Sequence, residues 1–161
     1  MKRCVLDTNI VLGYLRGAPY AAYIEKTFSP LTPPNIPFQS VASVAELESF
    51  VLPLGYGAEK RRRLDELIRR VPLVNIESPC LVDRYAEIDA FRQNKHPKHK
   101  RDGQNAFAMS DNDIWIAATA SVLQATLLTT DKDFAPLNQV FLDVCVIDAA
   151  IRGDAVPVTT G

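Results

Sequence analysis

The sequence predicts an α/β protein in which a central, mainly parallel sheet carries helices on both faces. Five short apolar runs rich in β-branched residues are typical of strands that are buried on both faces. Longer stretches with helical spacing separate these runs, so strands and helices alternate along the chain. The length of 161 residues, with 47% hydrophobic and 23% charged residues, fits one globular domain.

The predicted elements follow from these patterns in chain order. The apolar runs predict strands at Cys4–Leu6, Phe38–Ala42, Val71–Ile76, Thr126–Thr130 and Val140–Ile147. Apolar residues at helical spacing predict helices over residues 9–16, 20–28, 43–52, 58–70, 79–94 and 111–124. The segment Pro30–Pro37 holds four prolines in eight residues, which predicts a stiff, extended connection. The irregular segment 93–110 is long for a connection and is predicted to be functional or mobile.

Composition excludes several classes of protein. Three scattered cysteines are too few for a disulfide framework or a zinc knuckle. Asp7 interrupts the first apolar run, which argues against a secretory signal, and no run approaches the roughly 18 apolar residues of a membrane span. We therefore expect a cytoplasmic protein with no membrane segment. We expect one domain over residues 1–150 and a short tail over residues 151–161.

The net charge of −1 conceals two segments of opposite sign. Residues 57–101 carry 12 Lys and Arg against 7 Asp and Glu, whereas residues 102–161 carry 2 against 8. Solvated helix faces can produce such a division. A basic surface beside an acidic one is also typical of metal-dependent enzymes that act on phosphates.

Carboxylates follow the predicted strands or open the helices beside them. Asp7 follows the first strand, Glu46 the second, and Asp131 and Asp133 the fourth, while Asp113 opens the helix before the fourth strand. Ligands of open α/β sheets bind at the carboxyl ends of the strands. Carboxylates gathered at that edge repel one another unless a cation lies among them. Hard oxygen ligands predict Mg²⁺ or Mn²⁺.

Each of these carboxylates also has a purely structural interpretation. Asp7 can cap the helix that follows it. Ser43 with Glu46, and Ser110 with Asp113, have the spacing of a capping box. Asp131 and Asp133 can be turn residues. Independent caps need not meet at one edge of one sheet, so the four segments together favour a metal site.

In these segments the chain resembles the PIN-domain nucleases, especially the VapC-like ribonuclease toxins of type II toxin–antitoxin pairs. The matching pieces, in the family's order, are LDTNI at Leu6–Ile10, SVAEL at Ser43–Leu47, NDIWIAA at Asn112–Ala118 and TTDKDF at Thr129–Phe134. The resemblance covers the chain from residue 4 to about residue 147. It implies a three-layer α/β/α sandwich and metal-dependent cleavage of RNA phosphodiester bonds.

The resemblance also implies roles for individual residues. It carries over Asp7, Glu46, Asp113 and Asp131 as the catalytic residues, with Asp7, Asp113 and Asp131 as ligands of Mg²⁺ or Mn²⁺. Supporting groups would be Thr8, Asn9, Asp111, Thr129 and Asp133. The implied partners are RNA and a small cognate antitoxin, and a homodimer is left open.

A basic insert departs from the compact form of that family. Arg92–Arg101 contains five Lys or Arg and two His without an acid, and it leads toward the helix of Asp113. We predict that Lys98, Lys100 and Arg101 bind RNA phosphates, the alternative being a solvated loop. For His96 and His99, a solvated loop is favoured over metal ligation. The basic helix 59–70 is left open between a plain surface helix and a groove wall for a partner helix or RNA.

Other enzyme classes fit the residues less well. A haloacid-dehalogenase-type phosphatase would have a second Asp two residues after Asp7, where this chain has Asn9. Serine and cysteine hydrolases would need a histidine base outside the basic insert. Two alternatives stay open: a catalytically silent PIN-like module that binds RNA or protein, and a general PIN nuclease with no antitoxin.

Overall fold

A five-stranded sheet forms the centre of the structure, a computed structural model that describes residues 1–101, 103 and 105–151. The strands are β1 (Arg3–Leu6), β2 (Ile36–Ser40), β3 (Leu73–Val74), β4 (Thr126–Thr129) and β5 (Asp143–Val146). They pair in the order β3-β2-β1-β4-β5, and every pair is parallel. The predicted parallel sheet is confirmed, with the first strand of the chain at its centre.

Helices connect the strands, as the alternating pattern predicts. They are α1 (Thr8–Arg16), α2 (Pro19–Phe28), α3 (Val41–Val51), α4 (Ala58–Arg70), α5 (Pro79–Arg92) and α6 (Asp111–Leu123). A short 3-10 helix, Lys132–Leu137, joins β4 to β5. Among the described helices, none has the length and apolar character needed to cross a bilayer.

Two apolar clusters on opposite faces of the sheet make the three layers. Successive strand residues point to opposite faces. Val5 and Leu127 accordingly pack in one cluster with residues of α5 and α6. Their neighbours Leu6 and Leu128 pack in the other, with residues of α1, α2 and α4. The three-layer α/β/α sandwich is therefore confirmed.

Three strands differ in extent from the apolar runs that predict them. β2 ends at Ser40, because the Ser40 hydroxyl accepts from the Ala42 amide, 3.2 Å away, and caps α3. β3 is only two residues long, and Leu73 in it is 47% exposed at the edge of the sheet. β5 begins only at Asp143, after a turn in which Gln139 has a φ of 59°.

The proline-rich connection turns instead of running extended. Residues 30–34 form turns, and Ile36 and Pro37 already belong to β2. The Asn35 side-chain amide donates to the carbonyl oxygens of Phe28 and Ser29 and closes the connection onto the end of α2. Of the predicted tail 151–161, Ile151 packs against the cluster of α1, and residues 152–161 lie outside the described residues.

Candidate active site

Four segments bring the predicted acidic residues to the carboxyl edge of the sheet. Asp7 directly follows β1, and Asp131 lies two residues after β4. Glu46 lies on α3, which begins immediately after β2, and Asp113 lies in the first turn of α6. Because all strands are parallel, their carboxyl ends meet at one edge. The topology therefore places the four predicted carboxylates on the same side of the molecule.

Asp7 is the most buried of these acids and is held through both oxygen atoms. Its side chain is 3% exposed. Oδ1 accepts from the Thr8 amide at 2.6 Å, which makes Asp7 the N-cap of α1, and Oδ2 accepts from the Thr129 hydroxyl at 2.7 Å. Burial raises the pKa of Asp7 to about 6, against the opposing effect of these two hydrogen bonds. The negative charges of Asp113 and Glu46 raise it further.

Glu46 accepts hydrogen bonds from two other elements. The Thr8 hydroxyl donates to its Oε2, and the Asn112 side-chain amide donates to its Oε1 over 2.9 Å. Glu46 does not form a capping box with Ser43, because Ser40 caps α3 and Ser43 is buried inside the helix. Asn112 is therefore a site residue that the sequence analysis missed. Its position beside Asp113 in the NDIWIAA segment was the available signal.

Asp113 is both a helix cap and a member of the acidic cluster. Its Oδ2 accepts from the amide and the hydroxyl of Ser110, and the Ser110 hydroxyl accepts from the Asp113 amide, so the capping box is present. Burial raises the pKa of Asp113 despite these hydrogen bonds, and the charges of Glu46 and Asp131 raise it further. Asp113 therefore both caps α6 and contributes negative charge to the acidic cluster.

The other predicted supporting residues lie around these acids with different contacts. The Thr129 hydroxyl donates to Asp7 and accepts from the Asp131 amide at 2.9 Å, so it links two of the acids. Asp131 caps the 3-10 helix by accepting from the Asp133 amide. Asp133 and Asp111 are exposed, and Asp111 adds to the effect of burial in raising the pKa of Tyr85. The Asn9 carbonyl accepts from Tyr20.

The donor set suits a hard divalent cation that keeps much of its water. In the described part of the chain, no three acidic, histidine or cysteine side chains converge closely enough to hold one ion together. Mg²⁺ commonly binds through one or two carboxylates plus water, so three converging side chains are not required. A buried carboxylate with two others within electrostatic reach is a fitting chemical setting for such an ion.

Comparison with known proteins places this architecture in a family. The PIN domain family model matches residues 4–138, most of the chain. The chain belongs to the PIN domain family. Comparison of this PIN domain with curated proteins gives no match.

Solved structures share the fold of this PIN domain at low sequence identity. VapBC2 from Rickettsia felis, bound to a DNA fragment from its promoter, is 22% identical with a TM-score of 0.72, and the match covers 91% of this chain and 99% of that chain. VapBC-1 from nontypeable Haemophilus influenzae is 23% identical with a TM-score of 0.67, and the match covers 89% of this chain and 97% of that chain. FitAcB from Neisseria gonorrhoeae is 24% identical with a TM-score of 0.63, and the match covers 88% of this chain and 95% of that chain.

The basic insert of this PIN domain is folded, and it lies against Phe141. His96 is buried, and its Nδ1 accepts from the amides of Lys98 and His99 at 3.1 and 2.9 Å. Its ring packs 5.7 Å from that of Phe141, measured between centroids. The prediction of a solvated loop is therefore wrong for His96, because its side chain organises the turn and packs on an aromatic ring. His99 is exposed, although it also contacts Phe141.

The predicted phosphate-binding residues lie at a distance from the acids. Lys98, Lys100 and Arg101 line an open cleft of about 660 Å³ with Phe91, His99, Pro136 and Val140. Phe141 precedes β5, whose first residue pairs with the first residue of β4, so Phe141 lies at the amino-terminal edge of the sheet. The acids follow the opposite edge. The described contacts therefore do not bring these three cations to the acidic cluster.

Proposed function

We propose that this PIN domain is a metal-dependent endoribonuclease whose acidic cluster binds Mg²⁺ or Mn²⁺. The observation that carries the proposal is the buried Asp7 carboxylate, held on both oxygens within electrostatic reach of Glu46 and Asp113. Among the described residues, none of the four acids forms an ion pair. An acidic cluster without a basic partner costs folding free energy, and a bound cation would offset that cost.

Each residue has a defined part in this proposal. Asp7 would hold the metal ion, Asp113 and Asp131 would reach it directly or through its bound water, and Glu46 with Asp131 would orient the attacking water. The bound ion would lower the pKa of water and neutralise charge on the phosphate in the transition state. Thr129 and Thr8 fix the Asp7 carboxylate, and Thr8 and Asn112 fix Glu46. Carboxylates held in fixed orientations would position the metal ion and the attacking water for the reaction.

The basic cleft supports a second contact with the same substrate. Lys98 and Lys100 are exposed and line the cleft with Arg101. We propose that these cations bind phosphates of an RNA segment several nucleotides away from the cleaved bond. The distance follows from α6, along which Asp113 and Ser121 are about 12 Å apart at 1.5 Å per residue. Ser121 donates to the Phe141 carbonyl, beside the insert.

The structural neighbours support a protein partner. Several are toxin–antitoxin assemblies, including a toxin–antitoxin complex from Klebsiella pneumoniae with a TM-score of 0.59. We propose that this chain is the toxin of such a pair in the cytoplasm and that a small cognate antitoxin binds it. An antitoxin arginine at the acids would form bidentate hydrogen bonds with carboxylates in place of a metal ion. Growth arrest on expression, relieved by a neighbouring gene product, is the expected result.

The proposed activity is tested with purified protein and single-stranded RNA in Mg²⁺ or Mn²⁺. The parent chain should cleave RNA, and Asp7→Asn should abolish cleavage, because the substitution keeps the size of the side chain and removes its charge. Asp83→Asn is the matched control, since Asp83 is exposed on α5 outside the site. Equal cleavage by the parent chain and Asp7→Asn would remove Asp7 from the mechanism. Binding of RNA without cleavage by the parent chain would favour the catalytically silent module.

A further inference from the structure

An aromatic side chain lies against the first turns of α1, the helix that Asp7 caps, and core packing accounts for only part of its contacts. Tyr20 lies in the first turn of α2, and its ring extends back along the surface of α1. The side chain is partly exposed, although it also packs against the apolar cluster of α1. Two contacts on α1 determine where the ring lies.

The first contact is with the backbone at Gly13. A Cβ atom added to Gly13 would lie 2.4 Å from Cε2 of Tyr20 and 2.6 Å from Cζ, so only glycine leaves room for the ring. Glycine inside a helix costs about 1 kcal/mol relative to alanine. Gly13 has an ordinary helical backbone, so close approach of the ring is the feature that requires it. The outer end of the ring therefore packs directly against the backbone of α1.

The second contact joins Tyr20 to the first turn of α1. The Tyr20 hydroxyl donates to the Asn9 carbonyl over 2.9 Å, two residues after Asp7. Burial is the main cause that raises the pKa of Tyr20; the positive charge of Arg16 opposes this rise, and the negative charge of Asp7 adds to it. The ring thus lies within electrostatic reach of the buried carboxylate. The hydroxyl and the ring are therefore both held against α1, and the side chain stays partly exposed near the start of that helix.

We propose that Tyr20 is a positioning residue against whose partly exposed ring a nucleobase next to the cleaved phosphodiester stacks. This inference rests on the proposed ribonuclease function. Proteins bind single-stranded RNA by stacking unpaired bases on aromatic rings. A lysine at this position would be drawn into an ion pair with the acids, whereas an uncharged ring holds the RNA without competing with the metal ion. The fixed ring also sets the position of the base relative to Asp7.

The test is a double-mutant cycle that combines variants of the protein with variants of the RNA substrate. Tyr20→Leu removes the aromatic face and keeps apolar packing, and Tyr20→Phe keeps the ring. Each protein is assayed on single-stranded RNA and on the same RNA with an abasic nucleotide at each position flanking the cleavage. With the parent chain, one abasic position should raise KM on the order of 10-fold, since stacking contributes at that scale.

The result expected from the cycle is non-additive. Tyr20→Leu should raise KM for intact RNA by a similar factor, with a smaller effect on kcat, and the abasic nucleotide should then cause no further loss. Tyr20→Phe should retain most of the parent KM. Gly13→Ala, which displaces the ring, should resemble Tyr20→Leu. Additive losses in Tyr20→Leu, or an unchanged KM, would overturn the proposal.

A binding measurement separates this inference from the proposed function. RNA containing 2-aminopurine loses fluorescence when the base stacks, and this readout needs no cleavage. Quenching by the parent chain but not by Tyr20→Leu supports stacking even if the chain cleaves no RNA. Equal quenching by both would contradict it. Normal RNA kinetics with weakened antitoxin binding in Tyr20→Leu would assign Tyr20 to the protein interface and overturn the inference.

Discussion

Thr129 holds two of the four acids with one hydroxyl group. The hydroxyl donates to the Asp7 carboxylate and accepts from the Asp131 amide, and the side chain is fully buried at the end of β4. Its hydrogen bond to Asp7 lowers the pKa of that carboxyl and so opposes the larger effect of burial. A residue outside the acidic set therefore controls the charge and the orientation of the proposed metal ligand.

Thr129→Val removes this hydroxyl while keeping the shape of the side chain. We expect a loss of roughly 10- to 100-fold in RNA cleavage, the scale at which groups that orient metal ligands act. The lost hydrogen bond should also move the acidic limb of the pH–rate profile to higher pH. Thr129→Ser keeps the hydroxyl and should retain most of the activity. Equal profiles for Thr129→Val and the parent chain would show that the hydroxyl has no such role.

The positions of the acids in the fold were more predictable from the sequence than the hydrogen bonds that hold them. Asp7 could be placed from its position after an apolar run, because the carboxyl ends of parallel strands share an edge. The hydrogen bonds from Asn112 to Glu46 and from Thr129 to Asp7 join positions 66 and 122 residues apart, and no local pattern indicates them. The burial of His96 depends in the same way on Phe141, which is distant in sequence.

At the scale of elements, α6 supplies the acidic cluster from its first turn. Ser110 caps the helix and Asp113 closes the capping box, so helix formation fixes the Asp113 carboxylate at the edge of the sheet. The helix bounds were predictable because caps and periodicity are local signals. The short β3 was not predictable in extent, since its length depends on pairing with β2 at the edge of the sheet.

Ser110→Ala should destabilise the protein by about 1 kcal/mol, the usual cost of losing a serine N-cap. The free energy of unfolding is measured by urea denaturation, where an unchanged slope shows that the two proteins expose the same surface on unfolding. Ser78 provides a matched control, because it precedes α5 without a side-chain capping bond. Ser78→Ala should leave stability nearly unchanged. Similar losses in the two variants would contradict a specific role for the capping box.

The lysines of the basic cleft should make RNA binding depend on salt concentration. Arg101 already contacts the Phe107 ring and the Asn105 carbonyl, so Lys98 and Lys100 are the residues better placed for phosphates. Replacing both lysines by Ser should flatten the log–log salt slope of RNA binding by about 1.4, at about 0.7 per phosphate on a single strand. Oligonucleotides too short to reach from the acids to the cleft should show no difference. An unchanged slope on long RNA would identify the insert as a plain surface loop.

At the scale of the whole molecule, the acidic cluster makes stability depend on pH. The folded pKa of Asp7 is about 6, whereas its ordinary value is 3.8. Between these values the unfolded chain releases a proton that the folded protein retains. The free energy of unfolding of the metal-free protein should therefore fall as pH rises from about 4 to 6, by about 3 kcal/mol from this group.

Comparison with Asp7→Asn isolates this contribution. The variant lacks the titrating group, so the difference in stability between the two proteins should change across the same pH window. At pH 7 the metal-free variant should be the more stable protein. Urea denaturation at several pH values in the presence of a chelator measures both. A constant difference across the window would contradict the raised pKa of Asp7.

Metal binding should stabilise the folded protein and so offset the cost of charge repulsion among the acids. A cation that binds only the folded state stabilises it by mass action, by about 2.7 kcal/mol at 100 times its Kd. Millimolar Mn²⁺ should therefore raise the Tm of the parent chain, and the rise should shrink in Asp113→Asn and Asp131→Asn. Asp83→Asn should keep the full rise. A Tm that does not respond to Mn²⁺ would contradict the proposed metal site.

The central position of β1 also determines when the acidic site can form during synthesis. Asp7 is made well before its partner Thr129, which follows it by 122 positions. The neighbouring strand β4 is just as distant in the chain, and such non-local pairs form only after the intervening residues exist. A growing chain therefore carries the Asp7 carboxylate long before Thr129 exists. The acidic site can assemble only after β4 and Thr129 have been made.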